Sequence, residues 1–392
     1  MTTVFHPVAA TARARPNHIV LHTPEGQLTA LELCQRVAQL ATSLAAQGVR
    51  AGNPVALLGP PSLDWVIALH AIGWLGAIVV PVGPGPGAAI DPSVAFVLAC
   101  HVAPPSGRQR LEYTPANTMH PEPNWRLSDV RLWMQTSGST GSPRHVPLTT
   151  SQLLFSAMGS TIRLGHQPED RWLSCLPLHH IGGLSILYRC AWLGTCAEVH
   201  PRFEPSLVNR RIDTGGVTQI SVVPTMLSKL LDDRNTRPFP QGLRVILLGG
   251  AAAPPALLAR CRAIAAPVAC TWGMTETASQ VATAPPGDLP SQAGQVGPPL
   301  AFARVTAADN GQLEVEGPIV GERLRTSDAG HLDASGRVVV HGRRDRMIIS
   351  GGENVDPTRV EQVLCQHPQV DSATVLGLPD ATWGARVAAV LV

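Results

Sequence analysis

At 392 residues the chain exceeds what one hydrophobic core usually serves, so two or more domains are expected, and 44% apolar residues is ample for globular packing. A formal charge of +2, with no basic run interleaved with aromatics, gives no reason to invoke nucleic acid. The longest apolar run, Val66 to Val82, is broken by His70, two glycines and Pro81 and falls short of the ~20 residues a membrane helix needs, so no integral membrane segment is expected.

Eight cysteines are scattered without a C-x-x-C pair and no signal peptide precedes them, which reads as reduced thiols in a cytoplasmic protein. Of 30 basic residues only Lys229 is a lysine, so positive chemistry falls to arginine, which stays charged and cannot serve as a tuned amine.

In chain order, Leu28 to Leu44 has apolar residues at helical spacing (Leu31, Cys34, Val37, Leu40, Leu44), and Gly48 stops it. Pro54 to Leu58 is a short strand closed by Gly59-Pro60-Pro61, and the Val66 to Val82 run reads as a buried helix followed by a strand at Ala77 to Val82. This rhythm predicts an α/β domain with a mostly parallel sheet. Gly83 to Gly87 and Pro104 to Pro123 read as loops without an obvious site.

Val130, Leu132 and Met134 alternate with Arg131 and Trp133, a strand with one buried face that runs into Thr136-Ser137-Gly138-Ser139-Thr140-Gly141. Small residues from Thr136 to Ser142 cannot form a core. Their hydroxyls donate, and two glycines let the backbone curl into an N–H-lined concavity suited to a polyphosphate. The Walker pattern is not met, and on composition alone the string reads first as a Ser/Thr/Gly linker or surface turn. Thr149-x-x-Gln152 is a capping box for a helix with Leu153, Leu154, Ala157 and Met158 on its apolar face, which predicts a loop held between strand and helix.

Leu173 to Ser185 predicts a strand ending at Pro177, then His179 and His180 in a turn before Gly182-Gly183. No third ligand stands near the histidines, so a metal is a poor reading and one of the two is expected to be structural. Ile220 to Pro224 and Val245 to Gly250 have the form of buried parallel strands whose carboxyl ends face a crevice. Taken alone, Glu276 is a solvated helix start with Thr275 as cap.

The string through Pro143, Arg144 and Val146 resembles the phosphate loop of the adenylate-forming superfamily of acyl-CoA synthetases, luciferases and adenylation domains, T-S-G-S/T-T-G-x-P-K. Arg144 stands in the lysine's place and His145 where glycine is usual. The resemblance implies that Thr136, Ser137, Gly138, Ser139, Thr140 and Gly141 cradle ATP phosphates with Arg144 beside them. It implies further that His180 lies against the acyl substrate, and that adenine rests on Gly249-Gly250-Ala251. Trp272-Gly273-Met274-Thr275-Glu276 is similar to Y-G-x-T-E. Trp272 would then stack on the purine, Gly273 and Thr275 would border the nucleotide, Gly273 and Met274 the acid, and Glu276 would hold Mg²⁺.

Leu324-Arg-Thr-Ser-Asp328 resembles Y-R-T-G-D, whose aspartate takes the ribose hydroxyls, with Ser327 in the glycine's place. His341 to Pro357 resembles G-R-x-D-x-x-I-x-x-G-G-E-N-V-x-P, which implies Arg343 on the ribose, Asp345 as hinge and Glu353 in a loop that serves thioester formation. The resemblance runs from about Leu28 to the last residue. Within the superfamily, LPLHHIGGLS, LLGGAA, GMTETASQ and SGGEN are most similar to the 2-succinylbenzoate:CoA ligase branch, where a basic residue at the place of Arg189 faces a substrate carboxylate.

The fold so implied is α/β, a large amino-terminal adenylate-forming domain with mostly parallel sheets and a small, truncated α+β carboxyl-terminal domain. The boundaries are 1–342 for the AMP-binding domain, 343–345 for the hinge and 346–392 for the partial small domain. The implied activity is an ATP-dependent acid:CoA ligase using a small carboxylic acid, ATP, Mg²⁺ and CoA, in menaquinone or phylloquinone biosynthesis. Another acyl- or aryl-CoA ligase, a carrier-loading adenylation enzyme and a degenerate nucleotide-binding protein are the alternatives. The segment from Pro318 to Arg325 is shorter than usual, and the chain stops inside a strand pattern, Arg386 to Val392. The expectation is an incomplete small domain without the family's late lysine, hence slow adenylation.

Overall fold

A computed structural model describes residues 2–83, 90–105, 107–137, 143–344, 348–351, 353–355, 357–365, 367, 369–370, 373–380 and 382–392. One sheet has six strands in the order Pro143–Thr149, Val130–Ser137, Ile78–Pro81, Pro54–Leu58, Phe96–Ala99, Gln109–Leu111, parallel except for the first pair. A second has eight, in the order Ser279–Thr283, Val268–Met274, Val245–Leu248, Gln219–Val222, Arg171–Ser174, Cys196–Val199, Ile19–Thr23, Gly26–Thr29, parallel except at its two outer junctions. An antiparallel four-stranded sheet follows, Arg304–Ala307, Gln312–Glu316, Leu324–Leu332 and Val338–Arg343. The small carboxyl-terminal part pairs Ile348–Ser350 with Glu353–Val355 and Ala373–Asp380 with Gly384–Leu391, beside the helix Pro357–Leu364. The fold class is the expected α/β arrangement.

Helix Leu63–Trp74 buries every residue except Asp64, capped by the Ser62 hydroxyl accepting from Trp65 N. A helix apolar on all sides belongs between layers, which accounts for the longest apolar run. Among the described residues no helix is long and apolar enough to cross a membrane, and all eight cysteines are free.

Four local expectations are corrected. The first helix spans Ala30–Ala46, after a strand that includes Leu28; its buried stripe is Ala30, Leu33, Val37, Leu40 and Leu44, while Leu31 is 44% exposed. Arg131 is not on a solvated face: it is buried, bonded to Asp129 at 2.8 Å and to Thr150 Oγ1 at 3.0 Å, with its guanidinium 4.6 Å from the Trp125 ring. The phosphate-loop candidate joins two antiparallel strands rather than a strand and a helix, because Pro143–Thr149 folds back on Val130–Ser137 before the helix Thr150–Leu164 begins.

That helix has the expected Thr149–Gln152 capping box, but its inward face is polar as much as apolar. Met158 is exposed, while Gln152, Ser156 and Ser160 are buried. Gln152 Nε2 donates to Glu276 O at 3.2 Å, Ser156 Oγ donates to Ala278 O at 2.9 Å, and Gln280 Nε2 donates to Ser160 Oγ at 2.9 Å. The helix is thus stitched to the turn that carries Glu276.

Candidate active site

Strands Arg171–Ser174, Gln219–Val222, Val245–Leu248 and Val268–Met274 run parallel, and the expected residues follow their carboxyl ends: His180, then Gly249-Gly250-Ala251, then Thr275-Glu276. In an open α/β sheet this edge is where ligands bind. The backbone needs room there. Gly273 sits at a register shift, and a Cβ on it would come within 1.7 Å of Ser279 O.

The strand before the histidines ends at Ser174, not Pro177, so residues 175–180 form the turn. His180 is the N-cap of the helix Ile181–Leu193, and the turn folds so tightly that a Cβ on Gly183 would lie 2.6 Å from Pro177 O. His179 is half-buried against the backbone at Gly83, and His180 is exposed, their rings 4.3 Å apart. Desolvation lowers both pKa values, and the neighbouring His180 ring lowers His179 further. His179 is the packed histidine of the pair.

In the hairpin, Thr136 and Arg144 are register partners, and Thr136 Oγ1 donates to Arg144 O at 3.3 Å. Ser137 closes the first strand, and the Arg144 side chain is exposed. Gly138, Ser139, Thr140 and Gly141 lie outside the described residues, as does Asp345. The second hairpin strand packs beside the turn Thr275–Thr277, which places Arg144 and Glu276 on neighbouring elements. Met274, Thr275 and Glu276 are half-buried, and Thr277 Oγ1 accepts from Met274 N at 3.2 Å, closing the turn.

Trp272 is the residue expected to stack on the purine. It is 8% exposed, within the cluster that includes Val281, Ala282 and Val305, and its indole Nε1 donates to Asp328 Oδ2 at 2.8 Å. Asp328 lies on Leu324–Leu332 opposite Arg343 on Val338–Arg343, the two being register partners and therefore on one face. The two residues expected at the ribose are brought together. Glu353 is exposed on its short strand, where Ser350 is its register partner.

Arg189, on the helix that His180 begins, is 1% exposed, and none of its three guanidinium nitrogens has a hydrogen-bond partner among the described residues. Its Cζ lies 4.3 Å from the Trp172 ring, and burial pushes its pKa down to about 10. An unpaired charge in that position is costly unless a ligand completes it.

The sequence reading missed Trp172 and Gln152. The alternation Trp172, Ser174 on one strand was the available signal for the first; nothing local marks Gln152 beyond its capping box.

The donor set suits a magnesium nucleotide. Glu276 offers hard carboxylate oxygens beside the hairpin, Asp328 offers a carboxylate already fixed by an indole N–H, and Gly250, at φ +82°, turns the backbone at the strand end.

A family model described as AMP-binding enzyme matches residues 8–99 and 91–323. The chain is 33% identical to a 2-succinylbenzoate–CoA ligase of Bacillus cytotoxicus over 94% of this chain and 84% of that one. It is 34% identical to one from a Geobacillus species over 94% and 83%. Its fold is similar to o-succinylbenzoate CoA synthetase from Bacillus subtilis in complex with the acyl-adenylate intermediate OSB-AMP, with a TM-score of 0.91, 32% identity and coverage of 100% and 89%. The same protein in complex with ATP and magnesium ion gives a TM-score of 0.90 at 32% identity, covering 100% and 90%. Matched by that model over most of its length, and by relatives above 30% identity over nearly all of it, the chain belongs to the AMP-binding enzyme family.

Proposed function

We propose that the protein is an ATP-dependent acid:CoA ligase, AMP-forming, acting on 2-succinylbenzoate in menaquinone or phylloquinone biosynthesis. The observation that carries the substrate class is Arg189, a fully buried guanidinium whose nitrogens have no partner among the described residues, on the helix whose N-terminus is the His180 turn. A monocarboxylic acid spends its one carboxylate on ATP. A second carboxylate is what a planar, five-donor cation completes. The relatives at 31–34% identity carry that same ligase name, which agrees with a dicarboxylate.

Catalysis follows in two displacements. One acid carboxylate attacks the α-phosphorus of ATP; the new P–O bond replaces the bond to the bridging oxygen, and pyrophosphate leaves. CoA thiolate then attacks the acyl carbon, a C–S bond forms, the C–O bond breaks, and AMP leaves with its electrons. Asp328 and Arg343 hold the ribose, Arg144 and the hairpin of Thr136 and Ser137 meet the phosphates, and His180 borders the reacting carboxylate. Mg²⁺ bound with ATP would neutralise phosphoryl charge, and Glu276 is the carboxylate that would hold it. His180, its pKa lowered, stays neutral near pH 7 and so does not pin the attacking carboxylate as an ion pair. Glu353 is assigned to the thioester-forming half of the reaction.

The test is ATP–pyrophosphate exchange over a panel of carboxylic acids, followed by thioester formation with CoA. Exchange is expected with 2-succinylbenzoate and far less with monocarboxylic acids. Nucleotide binding without exchange for any acid would leave only a binding protein, and transfer to a carrier protein in preference to CoA would reassign the acceptor.

A further inference from the structure

Among the described residues no carboxylate pairs with Arg189, which is 1% exposed. What faces it is Trp172, on the strand Arg171–Ser174 beneath the helix, with Arg189 Cζ 4.3 Å from the ring centroid. Trp172 is itself 4% exposed, and its Nε1 donates to Ser221 Oγ at 2.9 Å, which fixes the plane of the indole. Ser221 belongs to the neighbouring parallel strand, in register with Ser174. Side chains two apart on a strand, and side chains in register, share a face, so Trp172, Ser174 and Ser221 line the same side of the sheet. The Ser174 hydroxyl is buried there, also without a partner among the described residues.

A carboxylate partner would have held the arginine equally well, but it would occupy the N–H donors and repel an incoming anion. An aromatic face attracts the cation through its quadrupole and takes none of the N–H groups. On the reading that Arg189 anchors the unreacting carboxylate, we propose that Trp172 is the positioning residue for that anchor: its indole, locked by Ser221, holds the guanidinium flat while leaving its donors for the substrate. Selectivity for a dicarboxylic acid then resides in an Arg–Trp–Ser unit rather than in the arginine alone.

The experiment compares 2-succinylbenzoate with 4-oxo-4-phenylbutanoate, the same acid without its ring carboxylate, in the full chain and its variants. Trp172→Leu is expected to raise KM for the dicarboxylic acid roughly tenfold, as loss of a desolvated cation–π contact implies. KM for ATP and for the monocarboxylic acid should move little. Trp172→Phe, which restores a ring but not the bond to Ser221, should recover part of the loss. Trp172→Met replaces the Leu variant if that does not fold. An equal rise for both acids, or none, overturns the positioning role. Arg189→Lys separates this from the underlying reading: if that variant treats the two acids as the parent does, the anchor itself is wrong. If it discriminates and neither Trp172→Leu nor Trp172→Met does, only the role of Trp172 falls.

Discussion

Asp328 receives the indole N–H of Trp272 at 2.8 Å while facing Arg343 across an antiparallel register. One carboxylate oxygen is therefore oriented by the indole N–H, and on the proposed reading the aspartate meets a ribose already aimed. A hydrogen bond to a charged group contributes about 1.5–3 kcal/mol. Trp272→Phe, which keeps the ring and removes the donor, is expected to weaken AMP binding roughly tenfold in calorimetry. Asp328→Ala should weaken it at least as much; an unchanged dissociation constant in both variants would remove this pair from the nucleotide site.

Arg189 makes opposite predictions for stability and affinity. Replacing a buried guanidinium that has no hydrogen-bond partner among the described residues by an apolar side chain of similar volume removes its desolvation cost. Arg189→Met should therefore raise the unfolding temperature of the ligand-free protein while raising KM for 2-succinylbenzoate and leaving KM for ATP. A destabilised variant with unchanged KM would mean that the arginine serves packing.

How far the sequence could be read follows from where the interactions are local. Thr149 and Gln152 are three residues apart, so their capping box is visible in the string and present in the fold. The parallel strands at Ile220 and Val245 were legible from short apolar runs. Arg131 was not, because its burial depends on the Trp125 ring and on Thr150, 19 residues further along. Trp272 was placed at the nucleotide through resemblance, and only the sheet pairing that brings Asp328 beside it shows that its N–H also donates to that carboxylate. The hairpin was missed for a related reason: Pro143 and Pro147 argue against a strand by propensity, but an edge position at the end of the sheet tolerates both.

Acid should weaken the fold in a defined window. His6 and His70 are fully buried, with His6 4.6 Å from the Trp125 ring and 4.7 Å from Trp74. Burial pushes His70 down to about 4, and burial, then the charges of His70 and Arg131, hold His6 well below its usual value. Both are neutral when folded and gain protons when unfolded below about pH 6.5, so their contribution is complete above that pH and is lost as pH falls toward 4. His70 alone accounts for about 2 kcal/mol between pH 6.5 and 5. Urea midpoints at about pH 7.5 and about pH 5 should show this loss, and His70→Gln should flatten the dependence. An unchanged midpoint would place these imidazoles in contact with water.

Gly273→Ala tests the backbone at the crevice. The added Cβ would meet a carbonyl oxygen, which no side-chain rotation can relieve. The strand must shift, taking Met274 to Glu276 with it. Loss of pyrophosphate exchange and a fall of several degrees in unfolding temperature are expected; full activity would show that the register shift beside Gly273 absorbs the methyl group.

The helix Ile181–Leu193 begins at His180 and carries Arg189 nine residues further on. At ~1.5 Å per residue those two positions stand about 13–14 Å apart along the axis. Arginine side chains on a helix lean toward its N-terminus and close part of that distance. The separation that remains between the His180 turn and the guanidinium is set by the helix itself. On the proposed reading of Arg189 the helix is a ruler, its graduation set by the number of residues between a turn and an arginine.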